Sequence, residues 1–69
     1  MKVIYERETD TLTMIPAEAP VAESDELRDG LVIDYDRAGH IVSLEVMDAS
    51  EHVAEPASIA FELKEPAAR

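Results

Sequence analysis

The sequence predicts a small α+β domain that is mainly β: an antiparallel sheet of hairpins, four or five strands, with at most one or two short helical turns. Three observations carry this. The apolar-rich runs Gly30-Leu31-Val32-Ile33-Asp34-Tyr35 and His40-Ile41-Val42-Ser43-Leu44-Glu45-Val46-Met47 flank Asp36-Arg37-Ala38-Gly39. Asp suits the first position of a type I turn, and Gly suits the left-handed residue that ends it. Three further runs are short and strand-like. The chain has 69 residues, room for one domain at most; residues 1–65 are expected to form it, with 66–69 as a frayed tail.

Val3-Ile4-Tyr5 is the first strand candidate and Thr11-Leu12-Thr13-Met14-Ile15 the second. The second is rich in β-branched residues. Glu6-Arg7-Glu8-Thr9-Asp10 is the polar loop between them. Along the second strand Leu12 and Met14 share one face; Thr11, Thr13 and Ile15 share the other. Pro16-Ala17-Glu18-Ala19-Pro20 breaks regular structure. Val21-Ala22-Glu23-Ser24 reads as a brief strand, and the polar segment from Ser24 to Gly30 as loop or edge strand.

In the central hairpin, a type I turn with a following bulge sets Asp36 against His40 and Tyr35 against Ile41. Continued evenly, that register pairs Asp34 with Val42, Ile33 with Ser43 and Val32 with Leu44. It puts Leu31, Ile33, Tyr35, Ile41 and Met47 on one face, and Val32, Val42, Leu44 and Val46 on the other. Both faces then need cover. A tight two-residue loop would instead group Ile33, Tyr35, Val42 and Leu44 and leave the other face more polar. Val32, Ile33, Tyr35, Ile41, Val42, Leu44 and Val46 are the candidate core and dimer residues.

After Met47, Asp48 or Ser50 could cap one helical turn, which Pro56 would stop. Ser58-Ile59-Ala60-Phe61-Glu62-Leu63-Lys64 alternates as a strand does. Ile59 and Leu63 also sit at helical spacing, but the strand is the preferred reading.

The composition narrows the function classes. Sixteen acidic and six basic residues give a formal charge of −10. Phosphate-backbone binding needs clustered Lys and Arg, and Lys2, Arg7, Arg28, Arg37, Lys64 and Arg69 are scattered. A basic protein or a cation is the more natural partner, and nucleic acid is not expected. No apolar run has the length of a membrane span, and the opening residues lack a signal-peptide pattern; the expectation is a cytoplasmic protein without a membrane role. The apolar content is 46%, much of it Ala, and there is no cysteine. No disulfide can staple so small a core, so a homodimer is expected.

These residues resemble the DUF2283 family of small bacterial and phage proteins of unknown function. The matching features are Lys2-Val3-Ile4-Tyr5, Asp10-Thr11-Leu12, Val21-Ala22-Glu23-Ser24, Gly30-Leu31-Val32-Ile33-Asp34-Tyr35-Asp36, Gly39 and Leu44-Glu45-Val46-Met47-Asp48-Ala49-Ser50. The likeness covers residues 1 to about 52. The chain departs from it at Arg7, where the family often has proline, and over 16–20. The resemblance implies a β-rich single domain. It brings no catalytic residues and is compatible with an antitoxin or binding role.

Chemistry-bearing patterns are few. Asp34, Asp36, Gly39 and Glu45 fall at the first, third, sixth and twelfth positions of a calcium loop. The fifth is Ala38, the flanks are strands, and the even register sends Asp34 and Glu45 to opposite faces. The preferred reading gives Asp36 and Gly39 to the turn and expects no cofactor. A metal or small-molecule site around Asp34, Asp36, His40 and Glu45 is the alternative. His40 and His52 are the two imidazoles, too few for a four-ligand zinc site. Ser43 and Ser50 have no evident base, so no catalytic residue is named. The principal functional expectation is an acidic protein-binding module, antitoxin-like, that meets a basic partner through Glu18, Glu23, Asp25, Glu26 and Asp29.

Overall fold

The structure is a computed structural model and describes residues 1–67. Five strands, β1 (Lys2–Glu6), β2 (Thr11–Ile15), β3 (Glu23–Arg28), β4 (Leu31–Tyr35) and β5 (Ile41–Val46), precede one short helix, α1 (Ala49–His52). All neighbours are antiparallel, in the order β1-β2-β5-β4-β3. The sheet is open, and β1 and β3 are its edges.

Three hairpins supply the local pairing. Arg7 to Asp10 link β1 to β2, and Asp10 takes a left-handed φ of 54°. Asp29 and Gly30 link β3 to β4, with Gly30 at φ 84°. A side chain at Gly30 would also meet the Met47 carbonyl oxygen at 3.1 Å. The third turn is the expected one: the Asp36 amide donates to the His40 carbonyl at 2.9 Å, and Gly39 sits at φ 88°. The Asp36 carboxylate accepts from the Ala38 and His40 amides, each at 2.9 Å.

Beyond that turn the pairing departs from the even register. Tyr35 faces Ile41, but Asp34 then faces Ser43, Ile33 faces Leu44 and Val32 faces Glu45. The extra residue, a bulge at Ile41-Val42, moves every later pair by one place. Because side chains alternate, this one step sorts the sheet. Leu31, Ile33, Tyr35, Leu44 and Val46 join Leu12, Met14, Val3 and Tyr5 on one apolar face. Asp34, Ser43, Glu45 and Thr13 share the other with Val32 and Ile4. The sorting expected from a tight loop is thus produced by a bulge inside the strand, and the picture of two equally apolar faces is corrected.

The core lies under the apolar face. Val42, Val46 and Ala49 are buried; the other apolar-face strand residues are half-buried. Val53 lies over Leu31 and Val46 and also over Val3, Leu12 and Met14, so the segment after α1 crosses the sheet toward β1. It turns where the Ser58 amide donates to the Glu55 carbonyl.

Residues 58–64 form neither the expected strand nor a helix. Their alternation is that of a strand, but a strand needs a ladder partner, and none of the five strands pairs with them. Ile59, Phe61 and Leu63 are 68%, 89% and 70% exposed. The radius of gyration is 14.2 Å, against about 11 Å for a compact chain of this length. The frayed ending expected at 66–69 lies partly outside the described residues.

Candidate functional site

Three of the five candidate partner-binding acids lie on one edge strand. Glu23, Asp25 and Glu26 lie on the edge strand β3, Asp29 is in the turn that follows, and Glu18 is in the connection that leads to it. All are exposed. Pairing of Asp25 with Ile33 and of Glu26 with Val32 puts acids on both faces of the edge. Strand β3 has little apolar content to hold it. It is kept in the sheet by its ladder to β4, by the Ala22 amide donating to the Tyr35 carbonyl at 2.8 Å, and by Ser24.

The alternative metal residues are drawn into the scaffold. Asp34 accepts from the Ser24 and Ser43 hydroxyls, each at 2.5 Å, and so clamps β3, β4 and β5 on the polar face. Those two hydroxyls, Ser24 first, hold its carboxyl below the usual aspartate range. The His40 amide chiefly does the same for Asp36, whose side chain lies 3.4 Å from the largely exposed His40 ring. The bulge places Asp34 and Glu45 on the same face, which corrects the opposite placement of the even register. Among the described residues no three His, Asp or Glu side chains converge as metal ligands do.

A second carboxylate cluster was not read from the sequence. Asp10 accepts from the Tyr5 hydroxyl at 2.6 Å, from the Ser50 hydroxyl at 2.6 Å and from the Ser50 amide at 3.1 Å. Its carbonyl accepts from the Ala49 amide at 2.8 Å. The first amides of α1 are therefore capped from another hairpin, a non-local version of an N-cap. Asp48 makes no side-chain cap, which corrects the local reading; it turns the chain with a left-handed φ of 51°. Ser50, the other local candidate, donates to Asp10 instead. The Ser50 hydroxyl and then Tyr5 hold the Asp10 carboxyl low, and Asp10 in turn pushes the Tyr5 phenol up. A left-handed aspartate at a hairpin end was the available signal, but its partner stands 40 positions along the chain.

Among the described residues no helix is long and apolar enough to cross a membrane. Several hollows open on the surface. One is lined by Arg28, Asp29, Leu31, Val46, His52 and Val53. No curated protein and no solved structure matches the chain. The matching family model is described as "Protein of unknown function (DUF2283)"; it spans residues 2–50, all five strands and the start of α1, and the chain belongs to that family.

Proposed function

We propose that this chain is a protein-binding module that presents the acidic edge strand β3 to a basic partner. The observation that carries the reading is the placement of Glu23, Asp25 and Glu26 on an edge strand, all exposed. The outer backbone of an edge strand can accept another strand. Carboxylates on both faces favour an incoming strand rich in Lys or Arg and repel an acidic one. Asp29 carries the negative charge into the turn that follows β3, and Glu18 adds a carboxylate in the connection that precedes it. An antitoxin-like role, the covering of a small basic protein, is one form of this reading.

The test separates the edge from bulk charge. Glu23→Gln, Asp25→Asn and Glu26→Gln together remove three charges from β3. A control carries Glu6→Gln, Glu51→Gln and Glu55→Gln, which removes three charges elsewhere. Capture from native lysate at physiological salt is expected to retain a basic protein on the wild type and the control, and to lose it on the β3 variant. Equal loss on both variants would reduce the effect to net charge and end the proposal.

A further inference from the structure

The other end of the sheet carries a different surface. The segment after α1 crosses the apolar face toward β1, with Ile59 beside Val3, Leu12 and Met14. Beyond it Phe61 and Leu63 lie almost free of their own chain. The apolar face is meanwhile only half covered: Ile33, Tyr35 and Leu44 keep intermediate exposure. The chain exposes 5777 Å², where a compact protein of 7.6 kDa exposes about 4,300 Å². The excess, roughly 1,500 Å², exceeds the ~800 Å² that each partner contributes to a standard interface.

We infer that two copies of this chain pair at their β1 ends, each laying residues 60–64 across the apolar sheet face of the other. Chain and face come from one sequence, so two copies supply two arms and two acceptor faces, and the exchange closes on a two-fold axis. Reach allows it. Five residues of extended chain span about 17 Å, and crossing from β1 over β2 to β5 takes about 10 Å at the usual strand spacing. Charge points the same way. Strand β3 lies four places from β1 in the sheet order, about 19 Å and beyond the screening length at physiological salt. Like charges on β3 oppose pairing of two copies at that edge. The inference does not depend on a basic partner for β3.

Sedimentation equilibrium of the full chain at micromolar concentration is the test. The expected mass is twice the 7.6 kDa of one chain. Phe61→Asp with Leu63→Ser is expected to raise the dimer dissociation constant by roughly 100-fold or more, with the far-UV circular dichroism of the sheet unchanged. The chain has no cysteine, so Phe61→Cys on one copy and Ile33→Cys on another can join only between copies. Under oxidation their mixture is expected to give the mixed disulfide in excess over the two symmetric ones, read by peptide mass. A folded wild type that stays at one chain's mass up to about 100 μM, below the usual affinity of specific pairs, overturns the inference; it means that the arm stays free or folds back on its own sheet. A dimer that survives the arm substitutions, or that gives no excess of the mixed disulfide, overturns it as well. None of these results alters the capture experiment on β3, so the two proposals fail separately.

Discussion

The two edges of this sheet are built on opposite terms. At β1 the strand is tied into the rest of the chain. Tyr5 reaches Asp10, Asp10 caps α1, and the segment after α1 returns over Val3. At β3 the strand is held by one ladder and one serine–aspartate contact, and its side chains are spent on charge. The contrast teaches where stability and surface chemistry are divided. The β1 end carries apolar cover and long-range hydrogen bonds, so changes there act on the fold. The β3 end holds little of the core, so its charges are free to act on a partner.

The sharpest way to break the comparison is at Ala49, fully buried where α1 meets the β1–β2 loop. Ala49→Glu places an unpaired carboxylate in that contact and is expected to cost about 3 kcal/mol or more. For a domain this small that is most of the stability, and urea denaturation should show loss of the folded baseline. Full retention of the wild-type midpoint would mean that the helix is not part of the core.

Next in size is the response to acid. Asp10, Asp34 and Asp36 are held below the ordinary aspartate value by donors present only in the fold. Such groups stabilise fully above the unfolded value of about 3.9, and that stabilisation is lost as pH falls through their lower folded values. Thermal melts are therefore expected to drop below about pH 4. Asp10→Asn should weaken this dependence and let the Tyr5 phenol, raised chiefly by its hydrogen bond to Asp10, ionise nearer its ordinary value. Ultraviolet titration in a Tyr35→Phe background reads Tyr5 alone. An unchanged Tyr5 titration would deny the latch between β1 and α1.

The smallest effect belongs to β3. Glu23→Gln, Asp25→Asn and Glu26→Gln together should change unfolding stability by no more than about 0.5 kcal/mol per site, because these groups are exposed and have no ion-pair partner among the described residues. A large destabilisation in urea titration would show that the charges serve the fold rather than a partner.

Much of the architecture was legible locally. The Asp36–Gly39 turn, the faces of Leu12 and Met14, and a helical turn after Met47 all appeared where the residues put them. Each depends on contacts within a few positions, where turn chemistry and alternation decide. Asp29-Gly30 was the neglected local signal: an Asp-Gly pair before an apolar run marks a hairpin, and it makes a strand of the polar segment Glu23–Arg28. The acids of the candidate site were plain in the composition, and of the two readings of their segment, loop or edge strand, the structure takes the edge strand for Glu23–Arg28.

By itself, then, the sequence determined a single acidic, cysteine-free chain of short strands, its turns, and a surplus of carboxylates over cations. Tertiary structure decided the rest. The bulge at Ile41-Val42 chose which side chains share a face, and no local pattern marks one residue of slippage. Asp10 found its donor 40 residues away because the β1–β2 loop and α1 meet at the same end of the sheet. Residues 58–64 alternate as a strand does but found no strand to pair with, because a ladder is made by two segments and the pattern of one cannot supply the other.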